Sequence, residues 1–454
     1  MIPSLSLPPP IMPHRVYGHN YLDKNCLVEI SVRRFPSRDC PAVKLHSRLS
    51  NSLYQDSHLP SSTPLKLVLT AGPQINSAPY SIALPQKNEQ DVLAFQVPSL
   101  DEFSLEFSIY PTFGTKTIGR AVALSSMFQG NENGREHILP ILDNRLHIIG
   151  EVCTTVNVTT PFRGVTLEVG GAVETYWKST ALPMRRFPVI KSALPWQHSP
   201  RSLDSAHTSP SNQSNATSSS HTLTISSLTG NYIHAVIQVT RDFHPVVYTG
   251  FLLPEQGFDL TVADVTLAQF EALAQRSGRS EGMPGNPSTM HDWTGYLSQA
   301  MLSLAHLMKI LPVHLGMTLE LEFPLHQTGH SLNSNQLPLD LNECVDSVLR
   351  TIYHTSASLG GLFSRRRITF TSFSPRVCAA LNWKQPNYPV FLASQCGQHG
   401  KSLSGSNLLR AGCTEDGSST WLSSVGAGVD FAKTNNLLGV FFDAELLLQV
   451  PSLI

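Results

Sequence analysis

The chain has 454 residues, 32 of them basic and 33 acidic, for a formal charge of -1, and such a length suits two or three domains of about 150 residues each. Balanced charge excludes a global field that would draw the chain to nucleic acid or to an anionic membrane, so any partner is recognised locally. Charged residues make up 14% of the chain against a usual share of about 25%, and the deficit is filled by Ser, Thr, Asn and 32 Pro, which points to loops and linkers between folded parts.

Residues 1–20 read as a Pro-rich linker. They hold no apolar signal segment, and no later run reaches the roughly 18 apolar residues of a membrane span. The seven cysteines, Cys26, Cys40, Cys153, Cys344, Cys378, Cys396 and Cys413, are scattered without a CxxC pair. That is the usage of a reducing compartment, so a cytoplasmic or nuclear protein is expected.

Residues 21–162 alternate short apolar runs with turns: LVEISVRRF, PLKLVLTAG, YSIAL, VLAFQV, FSLEFSIYP, GRAVALSSMF and RLHIIGEVCTTVNV. No long stretch of helical period separates them, and an antiparallel β-sandwich is expected. The pattern changes near Pro161. From 163 to 454, strand-like runs at 164–169, 231–239, 317–323, 366–373, 388–394 and 437–442 alternate with helical periodicities, the signature of βα units around a parallel sheet. Thr266 and Gln269 have capping-box spacing ahead of one helix. A second helix is predicted over 296–308, with Leu297, Met301, Leu304 and Met308 on one face, and a third over 342–354 behind Asn342 as N-cap.

A Ser/Thr-rich insert at about 186–223 interrupts this second domain. Twelve of the 24 residues from 199 to 222 are Ser or Thr, too little apolar surface to fold, so disorder is expected there. Its Ser199-Pro200 and Ser209-Pro210 dipeptides suit a proline-directed kinase, although such pairs arise freely in a tract of this kind. No GxxxxGK[ST], HExxH or GxSxG motif is present, and Gly426-Ala-Gly428 lacks the third glycine of a dinucleotide fingerprint. His326 and His330 have metal-ligand spacing, but the Gly, Ser and Asn around them indicate a loop, and no zinc site is expected.

Local sequence is more specific. Residues 231–251, NYIHAVIQVTRDFHPVVYTGF, followed by VADVTLAQFEAL, resemble the second-strand region of the glycerophosphodiester phosphodiesterase family. The resemblance continues through LPVHLGMTLELEFP, LDLNECVDSVL and RRRITFTSFSPRVCAALNWKQPNYPVFLAS. Members of that family are TIM barrels, so the resemblance implies a TIM-barrel-like domain over 163–454. In the family, the region similar to LLGVFFDAELLLQVPSLI is followed by two more βα units, and with six parallel strands in view the barrel is expected to lack its last strands. More narrowly, YGHNYLDKN, GGAVETYWKST, VTRDFHPVV and ALNWKQPNYPVF are similar to the C-terminal half of fungal phosphate-signalling proteins that inhibit a cyclin-dependent kinase. That similarity implies a cyclin/cyclin-dependent kinase complex as partner. It also implies SPX and ankyrin parts, neither of which is present in this sequence.

The family reaction needs a divalent cation held by carboxylates, and two histidines as general base and acid. Aligned on VIQVTRD, a ligand pair Glu-x-Asp falls on His234 and Val236. The His-Asp pair after PVVY falls on Thr249 and Gly250. The opening His-Arg-Gly falls on Val169, Gly170 and Gly171. Glu320 alone matches a ligand, and the Lys two residues on is Glu322. One carboxylate does not hold Mg²⁺ or Ca²⁺, which want several oxygen donors, so no catalytic residue and no cofactor are expected. The expected function is therefore that of a degenerate, regulatory phosphodiesterase-like protein. The alternative is an active phosphodiesterase releasing glycerol 3-phosphate, with Mg²⁺ or Ca²⁺ in a rewired site of Glu320, Glu322 and His234, the two glutamates lying on one strand face.

Overall fold

The computed structural model describes residues 21–33, 41–46, 64–72, 78–86, 92–129, 134–165, 231–255, 257, 259–279, 289–323, 339–360, 366–394 and 424–442. The first domain is built of β1 (Cys26–Val32), β2 (Val43–Leu45), β3 (Leu65–Ala71), β4 (Tyr80–Leu84), β5 (Val92–Val97), β6 (Leu105–Pro111), β7 (Gly119–Ala123), β8 (Arg135–Leu142) and β9 (Ile148–Thr159). Their order is β4-β3-β6-β7-β8-β9-β1-β5, with β2 also on β9. Between β7 and β8 the ladder thins to a single pair, Arg120 with Leu142, and there the sheet folds over into two layers. Alternation decides what the layers enclose: Leu67 and Leu69 of β3, Phe107 and Ile109 of β6, Val28 and Ile30 of β1, and Phe95 and Val97 of β5 are buried in one core, as the two-residue period of a strand requires.

The expected sandwich is thus present, with two strands the periodicity does not reveal. The three residues of β2 are too few to show a period. In β8, Pro140 argues against a strand, yet β8 pairs fully only with β9, and a nearly free edge tolerates a residue with no N–H to donate.

The second domain follows with β10 (Tyr232–Val239), β11 (Pro245–Val247), α1 (Leu267–Arg276), α2 (Met290–Leu297), β12 (Leu302–Ser303), α3 (Leu304–Ile310), β13 (Gly316–Leu321), α4 (Leu341–Leu359), β14 (Ile368–Ser372), α5 (Pro375–Lys384), β15 (Val390–Ser394), α6 (Val425–Thr434) and β16 (Gly439–Phe442). Strands β10, β13, β14, β15 and β16 are neighbours in that order, all parallel. The two short strands β11 and β12 extend the β10 edge antiparallel, and the whole forms a nearly closed, barrel-shaped sheet.

Five of the six predicted parallel strands lie where expected. The one at 164–169 lies outside the described residues but for Gly164 and Val165, which are not in a strand. Also outside them are residues 1–20, the insert at 186–223, and His326 with His330.

One predicted helix is wrong. In place of a helix over 296–308 there are two, α2 and α3, separated by β12, which pairs with β11 through Val246–Ser303 and Val247–Leu302. Leu297, Met301, Leu304 and Met308 are all buried, so their spacing does not register the break. Ser303 makes it by accepting from His306 N as the N-cap of α3. At α4 the predicted N-cap, Asn342, is corrected to Asp340, whose side chain accepts from Asn342 N and Glu343 N. The capping box of Thr266 and Gln269 stands as predicted.

One face of the parallel sheet is apolar and meets the helices. Ile233, Ala235 and Ile237 of β10, Met317 and Leu319 of β13, Phe370 of β14 and Leu392 of β15 share a core with Val345, Val348, Leu349 and Ile352 of α4. The alternate residues of each strand therefore face the barrel interior.

Candidate functional site

Those interior residues include His234, Val236 and Gln238 on β10, Thr318 and Glu320 on β13, Thr369 and Thr371 on β14, and Phe391 on β15. Register places Val236, Glu320, Thr371 and Phe391 on one level. His234 lies one level below, opposite Thr318, whose hydroxyl accepts from Thr369 Oγ1 at 3.1 Å. From there the His234 ring reaches diagonally to Glu320, Nε2 to Oε2, at 2.8 Å. The Glu320 side chain is 9% exposed and that of His234 is 52% exposed, so the carboxylate is buried behind an imidazole that remains open to water. Further round, the rings of Phe391 and Phe441 stack at 4.5 Å.

The turn after β11 carries the next two positions of interest. The Thr249 hydroxyl donates to the Ser298 carbonyl at 3.0 Å. Gly250 packs under Tyr248 so tightly that a Cβ there would lie 2.5 Å from the phenol oxygen, while that hydroxyl donates to the Leu252 carbonyl. The Gln238 amide fixes the turn from below, donating to the carbonyls of Tyr248 at 3.1 Å and Gly250 at 2.8 Å.

The conspicuous TRDFHPVV segment is structural. Thr240 Oγ1 donates to Asp242 and accepts from His244 N, and Asp242 in turn accepts from Leu267 N at the start of α1.

Of the three residues named for a rewired metal site, the structure brings two into contact, Glu320 and His234. Glu322 follows β13, its N–H bonded to Ile237 O. Among the described residues, no three His, Cys, Asp or Glu side chains converge as the ligands of a metal would. Among the described residues, those beside Glu320 on its own level are Val236, with only methyls to offer, and Thr371, with a neutral hydroxyl, where Mg²⁺ or Ca²⁺ wants several oxygen donors. Val169, Gly170 and Gly171 lie outside the described residues. The His234–Glu320 pairing joins strands 86 residues apart, and its signal in the sequence is the alignment of both positions with family metal ligands.

Comparison with known proteins fits this architecture. Residues 22–163 match the model of the GDE1-like C2 domain, and residues 229–443 match that of the glycerophosphoryl diester phosphodiesterase family. The chain is thus a C2-like sandwich followed by a TIM-barrel domain of the glycerophosphoryl diester phosphodiesterase type. The likeness to fungal proteins holds along its whole length. It is 30% identical to the ankyrin repeat protein nuc-2 of Neurospora crassa, over 100% of this chain and 40% of that protein. It is 26% identical to the phosphate system positive regulatory protein PHO81 of Saccharomyces cerevisiae, over 100% of this chain and 38% of that one. It is also 23% identical to the glycerophosphocholine phosphodiesterase GDE1 of Candida albicans, over 97% of this chain and 40% of that protein. The chain therefore spans well under half the length of these relatives. No helix among the described residues is long and apolar enough to cross a membrane.

Proposed function

We propose that the barrel no longer carries out the phosphodiesterase reaction and serves as a regulatory part of a cytoplasmic or nuclear phosphate-sensing protein that inhibits a cyclin/cyclin-dependent kinase complex. One observation carries this reading: Glu320, the carboxylate matching a family ligand, is engaged at 2.8 Å by His234, the residue aligned with another ligand. An imidazole thus meets the charge that a cation would meet in the family. At the aligned acid–base position, Thr249 offers a hydroxyl committed to a backbone carbonyl, and it has no pKa near neutrality with which to move a proton. Similarity to two fungal phosphate-system regulators along the whole chain supports the regulatory half of the proposal.

The competing reading, an active metal-dependent phosphodiesterase releasing glycerol 3-phosphate, is favoured by the likeness to the Candida albicans phosphodiesterase. Calorimetric titration of the chain with Mg²⁺ and Ca²⁺ separates the two. The proposal predicts no saturable binding that depends on Glu320. Saturable binding abolished by Glu320→Ala supports the rewired site.

A further inference from the structure

Residues from two of the segments that carry the narrower resemblance, Leu22 of YGHNYLDKN with Trp383 and Lys384 of ALNWKQPNYPVF, lie away from the barrel interior. They meet each other at the junction of the two domains. Leu22 N donates to Trp383 O at 2.7 Å, and Leu22, Leu27 of β1 and Trp383 of α5 form a small buried apolar cluster. Next to it the Lys384 side chain is 0% exposed. Its ammonium reaches Asp346 of α4 at 2.9 Å and the Thr160 hydroxyl, just past the last sandwich strand, at 3.2 Å.

Asn342 adds a clasp. Its carboxamide accepts from Thr160 N at 3.1 Å and donates to Val158 O at 3.0 Å, the donor–acceptor pair that a neighbouring strand would offer β9. Beyond the strand, Phe162 enters the barrel core and stacks on Tyr353. On the far side, Arg376 of α5 lies against Gly134, which has φ +81° and where a Cβ would sit 2.2 Å from the guanidinium. A backbone so placed accepts only glycine.

We propose that this surface is a permanent intramolecular interface: the outer face of the β1–β9 layer is the docking site for the α4–α5 flank of the barrel, and Asn342, Trp383 and Lys384 latch the two domains into one cooperative folding unit. A lysine is tolerated fully buried only where its charge is paired and hydrogen-bonded. Asp346 is a barrel residue like Lys384 itself, so separating the domains takes the Thr160 hydroxyl away from the buried ammonium and leaves it one partner short. The inference is independent of whether the barrel turns over substrate.

Hydrogen exchange at increasing urea on the full chain tests it, read separately at the amides of β1 and β9 and at those of β10 and β13. The latch predicts coincident midpoints in the wild-type chain. In Lys384→Met it predicts two separate transitions, one for each set of amides, with the barrel set weakened as well because Asp346 of α4 loses its cation. If Lys384→Met does not accumulate as folded protein, Asn342→Ala, which removes only the clasp, is expected to separate the two sets. Separate midpoints in the wild-type chain, or coincident ones in the folded variants, would overturn the proposal.

Discussion

Gly250 shows at a single residue how an inherited active-site position becomes committed to packing. The family places an acid here, and the substitution Gly250→Asp would seem to restore it. A Cβ at 250 meets the Tyr248 phenol at 2.5 Å, and Tyr248 is held in place by its bond to Leu252 O. Gly250→Asp is therefore expected to cost about 1–3 kcal/mol, the range for overpacking, and to restore no turnover, alone or with Thr249→His. Urea denaturation measures the first effect.

Lys384 works in the opposite sense. Burial pushes its ammonium below the usual lysine value and pushes the Asp346 carboxyl up, while their mutual attraction opposes both shifts. Lys384→Met leaves Asp346 without its cation, and a loss of about 3–5 kcal/mol is expected. Residues of this kind are only half legible in a sequence. That His234, Thr249 and Gly250 do not suit their aligned roles is plain from residue type. The alignment groups His234 with Glu320, but that they bond to each other directly, and that Lys384 is buried, depends on contacts between distant segments.

Elements are anchored by a few polar contacts, and two of these give clean tests. Thr266 accepts from Gln269 N, and the Gln269 side chain returns the bond to Thr266 N. Thr266→Ala should lower stability by about 1 kcal/mol in urea titration. Asp242 links the β10–β11 turn to α1. Burial alone would raise its pKa, but the Thr240 hydroxyl and the Leu267 N–H, with help from His244, hold its carboxyl below the ordinary 3.8. A depressed carboxyl stabilises the fold above its unfolded pKa and loses that contribution as pH falls through the folded value. The stability gap between wild type and Asp242→Asn should thus be steady near neutrality and shrink as pH drops below 3.8. A gap that stays constant into acid would contradict the assigned role.

Periodicity reads elements well where one face is buried and the other wet, as in β3, β5 and α4. It fails where the buried residues keep helical spacing across a break, as Leu297, Met301, Leu304 and Met308 do between α2 and α3. The Thr266 cap, a local feature, is legible. Asp340 is the cap because the helix begins at Leu341, and the Asn342 side chain is engaged instead by the sandwich, a distant partner that spacing does not reveal.

At the scale of the whole molecule, the order of sandwich and barrel follows from a change of period along the chain, and the barrel from its resemblance to the phosphodiesterase family. The interface between sandwich and barrel does not, because it joins residues on either side of some 180 positions, as in the Asn342–Val158 bond. What the molecule does turns on one question of chemistry, whether this barrel hydrolyses a phosphodiester. Loss of each general acid or base typically costs about 10²- to 10⁴-fold in rate, and the aligned positions here hold no such group. The direct measurement is release of glycerol 3-phosphate from glycerophosphocholine by the purified chain, with Mg²⁺ or Ca²⁺ present. A rate equal to that of buffer is expected, and metal-dependent release that Glu320→Ala abolishes would contradict it.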